Sequence, residues 1–241
     1  MNKKIQLIAH RGASKYAPEN TMVSFEEAMR LEANYIECDI AVSKDRVPYI
    51  FHDDELNRTT NGRGKIKHLS WHELSQLDAG SWFSNQFSHQ KIPSLVELLH
   101  WHQGWNGFIN LEIKHIPPHQ LVEHLNLILD IIQQFQVQER LILSSFQPEL
   151  ITQLHRLQSC LQRAFLVNRW SYPSVLFARD KGCAQLNIGN MIVTPQMVHK
   201  THDVGLKLGV YTVNKRTIAQ YLESIGVDAI FTDDPLIMHQ N

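Results

Sequence analysis

The feature that most constrains the fold of this chain is a repeated alternation between short apolar strand patterns and helical patterns. The predicted strands, with helical or return segments between them, cover residues 5–10, 35–40, 108–114, 140–144, 163–167, 184–188, 207–213 and 228–232. Eight such steps are the number that closes a (β/α)8 TIM-type barrel. An open doubly wound sheet is the alternative, but no glycine-rich dinucleotide loop follows a predicted strand. We therefore expect an α/β barrel, formed as a single domain by residues 1–241.

One further strand pattern, residues 48–52, does not fit the alternation. Only residues 43–46 lie between it and the second strand, whereas a parallel crossover needs about a dozen residues or more. We therefore expect an antiparallel hairpin after the second strand. If its loop has four residues, His52 lies opposite Glu37 and Ile50 lies opposite Asp39.

The segment of about residues 54–93 reads as an insertion, because it is rich in turn residues and aromatic residues. One short helix is predicted near residues 71–77. Long stretches with little regular structure are uncommon inside a compact domain unless they form a lid or a binding loop. A structural cap is the equally weighted alternative.

The helical pattern between the first two strands, residues 21–31, has one apolar stripe. Met22, Phe25, Ala28 and Leu31 recur at intervals of three residues, so one face of the predicted helix can pack on the barrel. Asn20 or Thr21 can cap its start.

The charge and composition exclude several classes of function. Lys and Arg total 23 and Asp and Glu total 24, so the chain has no global charge that would attract nucleic acid or an anionic membrane. The three cysteines lack the spacing of a disulfide framework or a zinc site, which favours a reducing compartment. The apolar runs at residues 5–9 and 125–132 are too short for a secretion signal and a membrane span, respectively. We expect a cytoplasmic protein without membrane insertion, and the sequence indicates no protein partner.

Three carboxylates are placed on predicted strands where they can meet inside the barrel. Glu37 and Asp39 are one residue apart, so both point inward while Cys38 points toward the helices, and Glu112 lies near the end of the next barrel strand. Such carboxylates repel one another unless a cation neutralises them. Oxygen ligands favour one Mg²⁺ or Ca²⁺ over zinc. The alternative is that Glu37 or Asp39 forms a salt bridge with Arg11 or Lys114 and binds no ion.

Two histidines and two cations accompany these carboxylates at the strand ends. His10 and His52 each end an apolar strand, and phosphodiester cleavage needs a base for the attacking oxygen and an acid for the leaving one. A single histidine in such a position is more often a hydrogen-bonded core residue. Arg11 and Lys114 match phosphate oxygens in charge and could stabilise the transition state. Asp53 either orients His52 or caps the following turn.

The motifs of this chain resemble those of the glycerophosphodiester phosphodiesterase family. The residues that carry the resemblance near the predicted site are His10-Arg11-Gly12, Pro18-Glu19-Asn20-Thr21, Glu37-Cys38-Asp39, His52-Asp53 and Glu112-Ile113-Lys114. The resemblance continues in family order through Ile92-Pro93-Ser94-Leu95, Ser145-Phe146, Val210-Tyr211-Thr212-Val213-Asn214, Gly226-Val227-Asp228 and Thr232-Asp233-Asp234-Pro235. It thus covers nearly the whole chain, and the motifs are specific as a set.

The resemblance implies a phospholipase C-like barrel of the cytoplasmic bacterial type. It also implies cleavage of glycerophosphodiesters, such as glycerophosphocholine or glycerophosphoethanolamine, to sn-glycerol 3-phosphate and an alcohol with the help of a divalent cation. The roles implied for single residues are acid/base catalysis by His10 and His52, metal binding by Glu37, Asp39 and Glu112, phosphate binding by Arg11 and Lys114, and further substrate contacts by Phe146 and Tyr211.

Two residues depart from the family pattern, and several readings of the function stay open. Arg46 stands where the hairpin turn commonly has glycine, and Tyr211 replaces the usual tryptophan, which leaves the head-group preference undecided. Either water or the glycerol hydroxyl of the substrate can be the attacking group. One alternative function is cleavage of lysophospholipids or other long-chain diesters, held by Trp82 and Phe83. The other alternative is a non-catalytic phosphodiester sensor.

Overall fold

A closed ring of parallel strands forms the centre of the computed structural model, which describes residues 4–157, 160–189 and 192–239. The strands are β1 (Gln6–His10), β2 (Tyr35–Val42), β3 (Pro48–Ile50), β4 (Phe108–Ile113), β5 (Leu141–Ser145), β6 (Gln162–Val167), β7 (Gln185–Gly189), β8 (Lys207–Tyr211) and β9 (Ala229–Thr232). All except β3 belong to the ring, which closes because β1 pairs with both β2 and β9. The predicted (β/α)8 barrel is confirmed.

Helices follow most of the barrel strands and cover their outer faces. They are α1 (Met22–Arg30), α2 (Trp71–Gln76), α3 (Leu95–Gln103), α4 (Leu121–Phe135), α5 (Pro148–Arg156), α6 (Tyr172–Asp180), α7 (Pro195–His202) and α8 (Arg216–Ser224). Of these, α2 lies outside the alternation, in the segment after β3. In the helices within the described ranges, we find none with the length and apolar character needed to cross a membrane.

The main hydrophobic core lies between the barrel wall and these helices. Ile36, Cys38 and Ile40 of β2 are fully buried in it, beside Phe25 and Ala28 of α1. The intervening β2 residues therefore point into the barrel, as the period of two in the sequence predicts. At the start of α1, Thr21 occupies the N-cap position, as predicted, but its side chain forms no capping hydrogen bond.

The strand β3 forms the predicted antiparallel hairpin with β2, but the predicted register is wrong by one residue. Ile50 lies opposite Ile40 instead of Asp39, and β3 ends at Ile50, so His52 is not paired with Glu37. The reason is that the five residues 43–47, and not the expected four, separate the paired Val42 and Pro48, and within this turn the Ser43 backbone N–H donates to the Val47 carbonyl at 3.0 Å. Arg46 closes this turn with a φ of 67°, a left-handed conformation that glycine adopts more readily.

The segment that follows the hairpin has a small hydrophobic cluster of its own. Its buried members are Tyr49, Phe51, Leu56, Ile66, Leu74, Ala79 and Ile92. The predicted short helix is present as α2, and Ser70 and Glu73 form a capping box at its start. The segment is thus packed onto the hairpin, and we call these residues the hairpin cluster.

Candidate active site

Three buried carboxylates meet inside the barrel near the C-terminal ends of β2 and β4. Asp39 lies directly opposite Glu112 in the strand register, and Glu37 precedes Asp39 by one inward position. One carboxylate oxygen of each residue lies within 4.8 Å of the corresponding oxygens of the other two. The C-terminal ends of the strands are where TIM barrels hold their active sites, so we call this end of the barrel the rim.

Electrostatic repulsion within this cluster is strong. Burial raises the pKa of Glu37, and the nearby charge of Asp39 raises it further. Burial and Asp39 likewise raise the pKa of Glu112, even though Lys114 opposes the shift. A divalent cation would offset this repulsion, and three carboxylate oxygens are the donors that hard cations prefer. The residues therefore fit a divalent metal ion.

Lys114 and Arg11 lie beside Asp39. The Lys114 ammonium group is 2.7 Å from Glu112 Oε1 and 3.1 Å from Asp39 Oδ1, and Arg11 Nε is 3.3 Å from Asp39 Oδ2. Burial alone would raise the pKa of Asp39, but these two cations lower it. Glu37 instead accepts a hydrogen bond from the Arg11 backbone N–H at 3.0 Å. The salt bridges expected if no ion were bound are thus present at Asp39. Glu37 forms no salt bridge with Arg11 or Lys114 in the described residues, so its carboxylate could still bind a cation.

His10 lies on one side of the carboxylates and is held by the opposite end of the chain. Its Nδ1 is 2.7 Å from Asp233 Oδ1, and its Nε2 is 4.0 Å from Glu37 Oε2. Burial would lower the pKa of His10, but the hydrogen bond with Asp233 and the charge of Glu37 outweigh it and raise the pKa. Asp233 fixes the ring so that Nε2 faces the cluster.

His52 lies just beyond the end of β3, close enough to Asp39 for the charge of that residue to act on its ring. Its Nδ1 is 2.5 Å from Asp53 Oδ1, so of the two roles predicted for Asp53 the structure shows the orienting one. Burial lowers the pKa of His52, and the charges of Arg11 and Lys114 lower it further, although Asp39 opposes them. The two histidines therefore differ in their tendency to hold a proton.

Sequence reasoning missed several residues that support this site. The Asn20 side-chain amide donates to Asp39 Oδ2 at 2.8 Å instead of capping α1. Glu19 accepts hydrogen bonds from both Arg11 and Arg58. Glu19 and Asn20 lie within the motif at residues 18–21, which was identified from the sequence. The sequence did not indicate which residues their side chains contact. Arg58 carried no sequence signal for this role.

Phe146 and Tyr211 form an aromatic wall on the β5 and β8 side of the rim. Their ring centroids are 5.8 Å apart and the ring planes meet at 85°. The Tyr211 hydroxyl donates to the Val167 carbonyl at 2.9 Å, and the charge of Glu112 adds to burial in raising the pKa of this hydroxyl. The replacement of the usual tryptophan therefore adds a hydroxyl that is bound to the barrel wall.

A cleft of about 1420 Å³ extends from His52 and Lys114 toward the outside of the barrel. The β2–β3 hairpin, the segment after it and the loop between β4 and α4 form its walls. Trp82 and Phe83 are absent from the described residues that line it. The two aromatic residues expected to hold a long acyl chain are thus not part of the described walls of this cleft.

A barrel rim with two histidines near a carboxylate cluster and two cations that could bind phosphate is typical of the class of TIM-barrel phosphodiester hydrolases. Comparison with known proteins narrows this class. Residues 10–237 match the model of the glycerophosphoryl diester phosphodiesterase family. The chain belongs to this family, and it is a glycerophosphodiester phosphodiesterase.

Individual relatives agree with this assignment. A glycerophosphodiester phosphodiesterase of Caldanaerobacter subterraneus subsp. tengcongensis is 32% identical over 238 residues, which cover 96% of this chain and 95% of the relative. One of Bacillus subtilis is 30% identical and covers 98% of this chain and 86% of the relative. A phosphodiesterase of Oleispira antarctica, solved in complex with the product sn-glycerol-3-phosphate, has a TM-score of 0.92 and 32% identity and covers 98% and 96% of the two chains.

Proposed function

We propose that this enzyme hydrolyses glycerophosphodiesters with small alcohols, such as glycerophosphocholine and glycerophosphoethanolamine, in glycerophospholipid breakdown. The products would be sn-glycerol 3-phosphate and the alcohol, and one divalent cation, Mg²⁺ or Ca²⁺, would be required. The observation that carries the proposal is the convergence of Glu37, Asp39 and Glu112 at the rim, with His10 beside Glu37 and His52 near Asp39. The sn-glycerol-3-phosphate bound by the Oleispira antarctica phosphodiesterase supports the glycerol side of the substrate.

The three carboxylates would hold the cation, because each offers an oxygen to a common centre. When bound, the cation would supply positive charge that stabilises the transition state and helps to orient the phosphate. Arg11 and Lys114 would add charge on the same side, and the planar fork of Arg11 suits two phosphate oxygens. Asn20 would keep Asp39 in position through its amide hydrogen bond.

His10 and His52 would act as the acid/base pair. Each ring has one nitrogen engaged by a carboxylate, Asp233 or Asp53, which leaves Nε2 available for a substrate proton. The opposite directions of their pKa shifts suit a pair in which one ring donates a proton and the other accepts one. Phe146 and Tyr211 would form the wall that contacts the glycerol or the head group.

Cleavage of lysophospholipids or other long-chain diesters is the second candidate, and the size of the cleft beside His52 favours it. We place it second because Trp82 and Phe83, the residues expected to hold the chain, do not line the described part of this cleft. A non-catalytic sensor is less consistent with the full set of acid/base and carboxylate residues at the rim.

The decisive experiment measures release of the head-group alcohol from glycerophosphocholine, glycerophosphoethanolamine and a lysophospholipid by the same enzyme, with sn-glycerol 3-phosphate as the second product of the two small diesters. Protein stripped with EDTA should be inactive, and Mg²⁺ or Ca²⁺ should restore turnover of the two small diesters. A faster rate on the lysophospholipid would favour the second candidate. Binding without release from any substrate would support the sensor, and full activity after exhaustive chelation would exclude the metal requirement.

We also infer one domain over residues 1–241 and a cytoplasmic location. The main hydrophobic core includes residues from all barrel strands, which supports the first inference. The cysteines Cys38, Cys160 and Cys183 are all free thiols, which is compatible with a reducing compartment. A single cooperative unfolding transition and cell fractionation would test the two inferences.

A further inference from the structure

Arg58 lies in the segment after the hairpin, outside the barrel, yet its guanidinium group reaches two carboxylates at the rim. Its Nη1 and Nη2 donate to the two carboxylate oxygens of Glu19 at 2.7 and 2.8 Å. Its Nε and Nη2 donate to the two oxygens of Asp53 at 2.6 and 3.0 Å. One side chain therefore joins two carboxylates through four hydrogen bonds.

Each of these two carboxylates also contacts a proposed active-site residue. Glu19 Oε1 accepts a hydrogen bond from Arg11 Nη1 at 2.7 Å. Asp53 Oδ1 lies 2.5 Å from His52 Nδ1. The result is a continuous chain of contacts in which Arg58 is the central member and the phosphate-binding and acid/base candidates are the two ends.

We propose that Arg58 is a positioning residue for the phosphodiesterase reaction, which sets Arg11 through Glu19 and His52 through Asp53. The inference rests on the proposed roles of Arg11 and His52 and extends them, because it assigns a function to a residue whose hydrogen bonds go to Glu19 and Asp53 and not to the carboxylate cluster. The segment after the hairpin would then contribute to catalysis by holding Arg11 and His52 in position. Without Arg58, Glu19 would bind Arg11 alone and Asp53 would bind His52 alone, so both partners could move.

Two observations separate this role from a purely structural one. The Arg58 side chain is 46% exposed, so water can reach the two carboxylates when the guanidinium group is removed. The buried residues of the hairpin cluster hold the segment in place independently of Arg58. Loss of the guanidinium group should therefore leave the fold intact and change the geometry of the rim.

The geometry also requires arginine in particular. A guanidinium group presents its N–H donors in a fixed plane and can bind two carboxylates on two edges at once. A lysine has one ammonium group on a flexible chain and cannot hold both carboxylates in the same fixed arrangement. Arg58→Lys therefore keeps the positive charge but removes the paired hydrogen bonds to both carboxylates.

The test compares kcat and KM of wild type, Arg58→Ala, Arg58→Lys and Arg63→Ala with glycerophosphocholine at saturating divalent cation. Arg63 is a matched control, since it is an exposed arginine of the same segment for which no bond to another described residue is found. We expect Arg58→Ala to lower kcat by about 10- to 100-fold, because small misplacements of catalytic groups have effects of this size. KM should rise as well, Arg58→Lys should give intermediate values, and Arg63→Ala should match wild type.

Rescue with guanidinium ion distinguishes positioning from structure. Millimolar guanidinium should restore part of the kcat of Arg58→Ala, because the vacated position is half exposed, and should not change Arg63→Ala. Wild-type kinetics in Arg58→Ala, or a loss of activity accompanied by a lower melting temperature and no rescue, would overturn the inference. If Arg58→Ala does not fold, Arg58→Lys decides, since a reduced kcat supports the inference and wild-type kinetics contradicts it. An inactive wild-type enzyme would instead refute the proposed function itself.

Discussion

The two ends of the barrel satisfy their buried polar groups in different ways. At the rim, charged side chains bind one another, as Lys114 does with Asp39 and Glu112. At the opposite end, which we call the base, His102 is fully buried at the end of α3, and its Nε2 donates to the Gly107 carbonyl at 2.9 Å. At the base, a backbone carbonyl thus accepts the hydrogen bond of a buried side chain. At the rim, by contrast, charged side chains bind one another and could also bind a ligand.

This difference teaches that burial of a histidine does not by itself indicate function. His10 is half-buried and His102 is fully buried, but of the two only the ring of His10 lies between carboxylates. Arg140 at the base likewise donates to the Trp105 carbonyl and contacts no carboxylate within the described residues. Changes at the rim should therefore reduce activity and spare stability, and changes at the base should do the reverse.

The largest effect should come from His10→Ala and His52→Ala. Each removes a proposed acid/base group, so kcat should fall by about 100- to 10,000-fold while the melting temperature stays close to that of wild type. The assay is sn-glycerol 3-phosphate release, and the exposed His119 gives the control variant His119→Ala. Full activity in either rim variant would refute its acid/base assignment.

The base should respond in the opposite way. His102→Ala removes a fully buried ring and its hydrogen bond to Gly107, which should lower the free energy of unfolding by about 2 to 4 kcal/mol. Urea unfolding measures this change, and kcat of the folded protein should stay at the wild-type value. His100→Ala on the exposed face of the same helix should change neither quantity. A large loss of kcat in His102→Ala would contradict the division between rim and base.

His102 should also make stability depend on pH. Burial lowers the pKa of His102 to about 4, although its hydrogen bond to Gly107 opposes the shift, while in the unfolded chain the pKa is near 6.5. Below pH 6.5 the unfolded state takes up a proton that the folded state does not, so stability falls as the pH is lowered toward 4. Between pH 7 and pH 5 the loss from this group should be about 2 kcal/mol. His102→Ala should lack this part of the decrease, and equal decreases in both proteins would show that another group is responsible.

Removal of one carboxylate at the rim should weaken cation binding. In Glu112→Gln the cluster loses one negative ligand, so the Mg²⁺ or Ca²⁺ concentration for half-maximal activity should rise by about tenfold or more. Cation titration of EDTA-stripped protein measures the change. Glu123→Gln is a suitable control, because Glu123 is exposed and pairs with Arg46 beside the cleft. An unchanged titration in Glu112→Gln would remove Glu112 from the proposed ligand set.

The smallest effect should come from the aromatic wall. Phe146 is 38% exposed and packs edge-on against Tyr211, so Phe146→Ala should raise KM by about fivefold with little change in kcat. Tyr211→Phe keeps the ring and loses only the hydrogen bond to Val167, so its KM should stay near wild type. Steady-state kinetics on glycerophosphocholine separates the two. A larger drop in kcat than rise in KM would show that Phe146 takes part in the chemical step.

Much of the fold could be predicted because it depends on local periodicity. The alternation of Glu37, Cys38 and Asp39 alone indicates which side chains enter the barrel, and the structure confirms that Cys38 packs in the main core. The convergence of Glu112 with this pair follows once the strands are placed in a closed ring. The positions of charged residues can therefore be predicted from the sequence where they lie on strands whose inward and outward faces alternate regularly.

The contacts that depend on the geometry of a turn or on closure of the barrel could not be predicted from the sequence. The register of the β2–β3 hairpin differs by one residue from the predicted register because residues 43–47 form the turn, with Arg46 in a left-handed conformation, and the sequence does not fix the number of residues in this turn. The bond between His10 and Asp233 exists only because β9 closes the barrel onto β1. The link between Arg58 and Glu19 joins residues that no periodic pattern relates.

The hairpin cluster has a consequence for how the enzyme can lose activity. His10 is carried by the barrel itself, but His52 follows β3, which lies outside the ring and is anchored through Tyr49 and Phe51 to a separate small core. Small cores open more readily than the main one, and proteins open locally in such cooperative units. Under mild denaturing conditions the barrel should therefore retain its carboxylate cluster after His52 has moved away. Inactivation would then precede global unfolding, and the inactive protein would keep the three proposed cation ligands together.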